Sequence, residues 1–256
     1  MPIPSSRSAD RFQLTLMFAL AAALALAGCG QARNDQAVAN PNSQIGLYTS
    51  LPIVWNENQR VADLLASDAP THWLLAALRS HGRLVPLDSL AESPGSGALP
   101  LPGDAILVLA QPRPLSPQEN VALDDWVRGG GRVLLFADPM LTEHSIYALG
   151  DARRPQDVAL LSPILARWGL ELEFDEAQPA GERVVAVSGT DVPVNLAGRF
   201  RVIGPGCDTQ AGGLLATCRI GKGQVVALAD AALLENDSPG DSSRKSALDA
   251  LLSRLD

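Results

Sequence analysis

The stretch from Asp104 to Pro139 constrains the fold of this chain more strongly than any other part of the sequence. It begins with a short apolar run at 105–110, whose length and β-branched content are typical of a strand buried on both faces. A second run of this kind spans 132–137, and the residues between the two runs have the apolar spacing of a helix. Strands joined through a helix lie parallel, so the stretch predicts an α/β domain with a mostly parallel sheet.

The helix within this stretch carries its own start and stop signals. Ser116 is its predicted N-cap, Pro117 occupies the first helical position, and Glu119 stands where a capping box requires it. Three consecutive glycines at 129–131 are expected to end it.

The remaining strands and helices are predicted from the same kinds of pattern. Further strands are expected at 45–49, 84–87, 170–174, 183–188, 199–203, 214–220 and 224–229. Further helices are expected at 70–81, 155–168 and 243–255, and Pro163 should kink or divide the second of them. We therefore predict a doubly wound, flavodoxin-like sheet that is mostly parallel and flanked by helices, with an antiparallel β extension in its C-terminal third.

The N-terminal 28 residues have the features of a bacterial lipoprotein signal peptide. Two arginines precede an apolar run at 14–27, which is short for a membrane span and suited to a secretory signal. The tetrapeptide that ends at Cys29 resembles a lipobox, which implies cleavage before Cys29 and acylation of its sulfur. An ordinary signal peptide with a chance cysteine is the alternative. Gly30 favours sorting to the outer membrane over retention at the inner membrane.

Residues 29–43 are polar and are expected to form a flexible tether. The segment 44–256 is then a single α/β domain, lipid-anchored in the bacterial cell envelope and facing the periplasm. A net charge of −8 without clustered Lys and Arg argues against nucleic acid as a partner.

Two cysteines, Cys207 and Cys218, remain in the exported domain. An oxidising compartment and their short separation predict a disulfide bond, with two free buried thiols as the alternative. No third ligand of suitable spacing is nearby, so we predict no metal site there.

Candidate binding residues follow the predicted strands, because ligands of parallel sheets collect at the carboxyl ends of strands. The predicted ligand or partner rim consists of Tyr48, Ser50, Trp55, Gln111, Asp138, Pro139, Asp230 and Asn236.

Several of these residues have a second interpretation. Asp138 and Asp230 form either a carboxylate pair that orients a ligand or cation, or two acceptors of backbone N–H groups at the next turn. Trp55 either contacts a partner or caps the edge of the core. The irregular segment from Leu141 to Arg154 is either a lid over the rim or a disordered insertion.

Two stretches resemble the class I glutamine amidotransferase-like superfamily. The first runs from Asp104 to Phe136, and the second is Gly-Lys-Gly-Gln-Val-Val-Ala-Leu-Ala-Asp at 221–230, followed by Asn236. The second stretch is similar to the non-enzymatic branch that includes GldG-type auxiliary proteins of ABC transporters. The resemblance implies a transporter permease or ATPase subunit as partner.

The sequence departs from the catalytic members of that superfamily. They place a cysteine nucleophile on the turn after the strand at 132–137, where this chain has Ala137, Asp138, Pro139 and Met140. We therefore predict a non-catalytic envelope lipoprotein without a cofactor, acting as an accessory component of an ABC-type transport system. The alternatives are a metal-dependent hydrolase using Asp138, Glu143 and His144, a small-ligand-binding lipoprotein without a transporter, and a passive structural lipoprotein.

Overall fold

A computed structural model describes residues 43–55, 71–92, 97–235 and 242–255. The predicted signal peptide, Cys29, all of the tether except residue 43, and Asn236 lie outside the described residues. Within those ranges, no helix combines the length and the apolar character that crossing a bilayer requires.

The described chain contains eleven strands, numbered here in chain order. They are β1 (Gln44–Thr49), β2 (Arg83–Pro86), β3 (Ile106–Ala110), β4 (Arg132–Phe136), β5 (Leu170–Glu173), β6 (Arg183–Val187), β7 (Thr190–Val194), β8 (Arg199–Val202), β9 (Cys207–Gln210), β10 (Leu215–Ile220) and β11 (Gly223–Leu228). The α-helices are α1 (Trp73–His81), α2 (Pro117–Gly129), α3 (Ser162–Trp168), α4 (Ala232–Glu235) and α5 (Ser242–Leu252).

Seven strands form the main sheet in the order β2-β1-β3-β4-β11-β10-β9. The first five are mutually parallel, and β10 pairs antiparallel with both β11 and β9. Two further antiparallel pairs, β5 with β8 and β6 with β7, form separate two-stranded sheets. The predicted α/β class and mostly parallel sheet are therefore confirmed. β2 lies at one edge of this sheet, where Pro86 is tolerated although proline cannot donate a ladder hydrogen bond.

The predicted strand, helix and strand at the centre of the chain are confirmed as β3, α2 and β4. Ser116 Oγ accepts a hydrogen bond from the backbone N–H of Glu119 at 3.2 Å, and the Glu119 carboxylate accepts one from the N–H of Ser116 at 2.9 Å. This reciprocal capping box fixes the start of α2, and Gly130 ends it with φ at 130°. β3 and β4 pair in parallel, with Val108 opposite Leu134.

Helices cover both faces of the main sheet. Alternate residues of the central strands therefore pack in two separate cores, one on each face. On one face, Val108 and Leu134 pack in a cluster with residues of α1 and α5. On the other face, Leu107 and Leu135 pack in a cluster with residues of α2 and α3. Burial on both faces explains why the central strands are continuous apolar runs rather than alternating ones.

The third predicted helix is shorter than expected. It begins at Ser162, so Pro163 lies in its first turn and does not kink it. Proline suits this position because the first N–H groups of a helix have no partner within the helix. Residues 155–161 instead run beside the segment after β4, where the N–H of Ala159 donates to the carbonyl of Asp138 at 2.8 Å.

The antiparallel extension predicted for the C-terminal third is confirmed. Two strands in this part of the chain, β7 and β9, were not predicted. β7 contains Pro193, and β9 is polar, so neither has the apolar alternation that indicates a strand. A tight turn at residues 221–222 joins β10 to β11. Gly223 is required there, because a Cβ atom would lie 2.1 Å from the carbonyl oxygen of Val127.

Cys207 and Cys218 are directly opposite each other on β9 and β10. Their sulfur atoms are 1.91 Å apart, which is disulfide-bonding distance, as predicted from the sequence. The bond ties the edge strand of the sheet to its neighbour.

Candidate functional site

Four predicted rim residues come together where β1, β3, β4 and β11 end. Ser50, Gln111, Asp138 and Asp230 each follow one of these strands, and each is at most 1% exposed. Buried polar groups need hydrogen-bond partners, and at this edge the partners are other parts of the same chain.

Gln111 has the most constrained backbone of the four. Its φ is +44°, in the left-handed region that glutamine seldom occupies. Its side-chain oxygen accepts from the N–H of Asp138 at 2.8 Å, and its side-chain nitrogen donates to the carbonyl of Asp138 at 3.0 Å. The same nitrogen donates to the carbonyl of Gln156 at 2.7 Å. Gln111 thus ties the end of β3 to the end of β4.

Ser50 continues this network to the end of β1. Its hydroxyl donates to the carbonyl of Gln111 at 2.5 Å and accepts from the N–H of Gln156 at 2.9 Å. Three adjacent strand ends and the segment around Gln156 are therefore joined through two buried polar side chains.

Asp138 accepts one backbone hydrogen bond on each carboxylate oxygen. Oδ1 accepts from the N–H of Met140 at 2.8 Å, and Oδ2 accepts from the N–H of Ala231 at 3.2 Å. Burial raises the pKa of Asp138 to about 7, because removal from water disfavours the ionised form. The hydrogen bonds and the negative charge of Glu235 are smaller influences on this pKa.

Asp230 has the same arrangement at the end of β11. Oδ1 accepts from the N–H of Ala232 at 2.6 Å, and Oδ2 accepts from the N–H of Asn195 at 2.8 Å. Burial, followed by the negative charge of Asp138, raises the pKa of Asp230 to about 8. Both aspartates therefore accept backbone N–H groups at the turn that follows their strand, which is one of the two interpretations of the sequence. They also lie close together, as the carboxylate-pair interpretation requires.

Three residues that the sequence did not indicate adjoin the aspartates. Glu235 accepts hydrogen bonds from the N–H of Thr142 at 3.2 Å and from the Thr142 hydroxyl, and burial raises the pKa of Glu235. The side chain of Asn195 donates to the same hydroxyl at 3.1 Å. Asn195 follows β7, which was itself missed, so no sequence signal placed it at this edge.

The other predicted rim residues do not join this network. Tyr48 is 7% exposed and packs in the core beneath α2, where burial raises its pKa. Trp55 is partly exposed, with its ring centroid 6.3 Å from that of Tyr147. Pro139 is partly buried. Asn236 lies outside the described residues.

The segment from Leu141 to Arg154 has neither helix nor strand, as predicted, and contacts the rim at several points. The Arg113 guanidinium donates to the carbonyl of Ala152 at 3.3 Å, and Arg154 donates to the carbonyl of Tyr147 at 2.8 Å. The first contact joins the segment to the loop after β3, and the second lies within the segment.

A metal site formed by Asp138, Glu143 and His144 has no support in this geometry. Asp138 is fully buried, whereas His144 is exposed. Across residues 43–55, 71–92, 97–235 and 242–255, no three His, Cys, Asp or Glu side chains are grouped so that they could hold a metal ion.

Replacing Gln111 by alanine is expected to lower the free energy of unfolding by about 2–4 kcal/mol. The change leaves the N–H of Asp138 and the carbonyl of Gln156 without their buried partner, and each such loss costs about 1–3 kcal/mol. Urea unfolding measures the change. Gln118→Ala, at an exposed position of α2, is the control and should stay within about 0.5 kcal/mol of wild type. A Gln111→Ala protein as stable as this control would contradict the structural role of the network.

Several solved structures are similar to parts of this chain. An exo-beta-1,4-mannosidase, Op5Man5 from Opitutaceae bacterium strain TAV5, is 16% identical with a TM-score of 0.49, over 84% of this chain and 36% of that one. A catalytic mutant of Gan42B, a GH42 beta-galactosidase from G. stearothermophilus, is 14% identical with a TM-score of 0.45, over 84% of this chain and 30% of that one. This chain therefore spans about a third of the length of these two glycosidases.

A shorter similar structure is the cytoplasmic protein STM1381 from Salmonella typhimurium LT2. It is 12% identical with a TM-score of 0.44, and the match covers 72% of this chain and 86% of that one. No curated protein sequence matches the chain.

A family model described as "Domain of unknown function (DUF4350)" matches residues 66–252, from before α1 to the end of α5. The match covers well over half of the sequence and includes every residue of the buried network except Ser50. The chain belongs to the DUF4350 family.

Proposed function

We propose that this chain is a non-catalytic, lipid-anchored component of the bacterial envelope that docks onto an ABC-type transport system through the rim of its sheet. The observation that carries this proposal is the composition of the rim. Its buried polar groups are bonded to the chain itself, while its outer surface exposes apolar side chains.

The turns after β3 and β4 contain no Ser or Cys, which supports a non-catalytic role. The sharp turn after β3 holds Gln111 with a positive φ, and the turn after β4 holds Asp138 and Pro139. A strained turn of this kind can present a reactive Ser or Cys, but neither of these turns contains one. The amide of Gln111 is instead fully occupied by backbone partners.

Five apolar side chains between residues 140 and 160 are exposed, and we call this set the apolar rim patch: Met140, Ile146, Leu149, Val158 and Leu160. Leu149 is 81% exposed and Ile146 is 57% exposed. The N–H of Leu141 donates to the carbonyl of Asp157 at 3.0 Å, which places Met140 beside Val158. Clustered exposed apolar side chains are typical of surfaces that bind a partner.

The identity of the partner rests on sequence resemblance. The stretches 104–136 and 221–230 are similar to the non-enzymatic branch of the amidotransferase-like superfamily that assists ABC transporters. The strand order β2-β1-β3-β4-β11, with helices on both faces, supports the doubly wound, flavodoxin-like wrapping that this resemblance implies. The lipobox at Cys29 supports a lipid anchor that faces the periplasm, with the outer membrane favoured. A domain that faces the periplasm reaches the permease subunit before the ATPase subunit.

The test is affinity purification of the full-length protein from gently solubilised envelopes, followed by mass spectrometry. We expect an ABC permease in near-stoichiometric amount with wild type. The Leu149→Asp variant should recover about tenfold less, because a charge within an apolar docking surface costs more than about 1 kcal/mol.

The matched control is Val121→Asp, which places the same charge at a 54% exposed valine of α2 outside the patch. Its recovery of permease should equal that of wild type. Purification of the lipoprotein without any transporter subunit would contradict the proposed partner, and equal recovery with Leu149→Asp would contradict the proposed surface.

A further inference from the structure

We propose that the free edge of β6 pairs with β6 of a second copy of this chain, antiparallel and about a twofold axis at Val185. Pairing joins the two separate sheets of β6 and β7 into one sheet with the strand order β7-β6-β6-β7. This self-association uses none of the residues of the apolar rim patch. It goes beyond the proposed transport role, and its test needs no transporter.

The hairpin of β6 and β7 fixes which backbone groups of β6 point outward. Its turn at residues 188–189 has φ of +51° and +83°, as a two-residue type I′ turn does. Val187 and Thr190 flank this turn as a hydrogen-bonded pair, and such pairs alternate with non-hydrogen-bonded pairs along the ladder. The backbone N–H and C=O groups of Val184 and Ala186 therefore point away from β7.

The outward edge of β6 is open to solvent. Among the described residues no strand other than β7 pairs with β6. Val184 is 62% exposed, and Ala186 is also exposed. An exposed strand edge with apolar side chains is a template for pairing with another strand.

The other strand edges in the described part of the chain carry residues that discourage strand addition. β2 ends in Pro86, the outer side of β7 carries Pro193, and β9 carries Asp208. β5 and β8 carry alternating glutamates and arginines. β6 is apolar at 184–187 and contains no proline. A single open edge suits a closed dimer of identical copies, because the contact cannot propagate into a fibre.

A second copy matches this edge because the outward groups are symmetric about Val185. In antiparallel pairing about that residue, Val184 of each copy exchanges hydrogen bonds with Ala186 of the other, so every outward N–H and C=O of the edge is paired. Val185 then lies opposite Val185 of the second copy. Val192 of β7 is opposite Val185 in each hairpin, so the centre of the joined sheet is a row of valines.

The same pairing keeps like charges apart. Arg183 begins β6, so its two copies lie at opposite ends of the paired strands, about 14 Å apart by the rise per residue. Asp191 lies on β7, so its two copies occupy the outer strands of the joined sheet, about 14 Å apart by the strand spacing. Both separations exceed the Debye length of about 8 Å at physiological ionic strength, so salt screens most of the repulsion.

Disulfide trapping of the full-length chain in intact cells tests the pairing, because so short an edge gives a weak dimer that must be captured. In the proposed register the two Val185 Cα atoms lie about 4.5 Å apart, within disulfide range. On mild oxidation, Val185→Cys should give at least about tenfold more reducible dimer than Val121→Cys.

Val121 is the matched control because it is 54% exposed on α2, whereas Val185 is only partly exposed. Random collisions would therefore link the control more readily than Val185→Cys. Wild type shows any dimer that forms through the native cysteines. A Val185→Cys chain that stays monomeric, or that links to a different protein, would overturn the proposal.

A second pair of variants keeps the test decisive if Val185→Cys does not fold, since both changes are at exposed positions. Chains with Val184→Cys and chains with Ala186→Cys, carrying different tags, are produced together. Opposite residues in a hydrogen-bonded pair have Cα atoms about 5.5 Å apart, whereas diagonal neighbours are about 7–8 Å apart. The mixture should therefore form a dimer containing both tags, at least about fivefold more than either chain forms with itself. Equal linking in the mixture and in the separate chains would contradict pairing about Val185.

Discussion

Replacing Trp168 by alanine is expected to lower the free energy of unfolding by about 3–5 kcal/mol, a large share of the stability of a typical domain. Trp168 ends α3 and is 1% exposed within the core on the α2 side of the sheet. Its indole nitrogen also donates to the carboxylate of Asp124 at 3.2 Å. Asp124 is fully buried, so the substitution removes both a large apolar side chain and one partner of a buried charge.

Two variants separate these contributions in urea unfolding experiments. Trp168→Phe keeps most of the apolar volume and removes the hydrogen bond, so we expect a loss of about 1–2 kcal/mol. Leu149→Ala, at a side chain that is 81% exposed, should change the stability by less than about 0.5 kcal/mol. A loss below about 1 kcal/mol for Trp168→Ala would mean that α3 contributes little to the core.

The centre of the fold was predictable because its signals are local. The capping box of Ser116 and Glu119 operates over three residues, and the runs that became β3 and β4 are apolar throughout because both faces of the sheet are covered. β7 was not predictable, since Pro193 argues against a strand. Val192 and Val194 hold it in place by packing in the core on the α5 side of the sheet, and such packing is visible only in three dimensions.

The same distinction applies to the candidate site. Asp138 and Asp230 were indicated because parallel strands end at one edge, a rule that needs only the order of elements. Asn195 and Glu235 reach the same edge through a separate sheet and a four-residue helix. Nothing in the sequence near either residue records that approach. The positive φ of Gln111 was equally hidden, because only the completed network accounts for a glutamine in that conformation.

Raising the pH from 5 to 8 is expected to lower the free energy of unfolding by about 6 kcal/mol. In the folded chain the pKa of Asp138 is raised to about 7 and that of Asp230 to about 8, chiefly by burial, whereas both carboxyls have ordinary acidity when unfolded. Between these values the folded chain binds more protons than the unfolded chain, so stability falls as the pH rises. Slightly fewer than two additional protons are bound from pH 5 to about pH 7 and about one from there to about pH 8, and at about 1.4 kcal/mol for each proton over each pH unit the sum is about 6 kcal/mol.

The acid side should show the opposite slope. Burial alone would raise the pKa of Asp124, but hydrogen bonds from Arg128 and Arg167 hold it below its usual value. Its contribution is complete above the pKa of the unfolded carboxyl and is lost as the pH falls toward the lower folded pKa. Stability should therefore be greatest near pH 4, where the contribution of Asp124 is nearly complete and the loss caused by the aspartate pair is only beginning.

Urea unfolding at each pH unit from 3 to 9, followed by tryptophan fluorescence, measures this profile. The double variant Asp138→Asn, Asp230→Asn removes both titrating groups, so its free energy of unfolding should be nearly constant between pH 5 and pH 8, whatever its absolute value. Arg167→Gln should alter only the acid side, because Arg167 pairs with Asp124 and not with the aspartate pair. A wild-type stability that is flat or rising between pH 5 and pH 8 would show that the two carboxyls are ionised inside the fold. In that case the hydrogen bonds that the two carboxylates accept from four backbone N–H groups would lower their pKa by more than burial raises it.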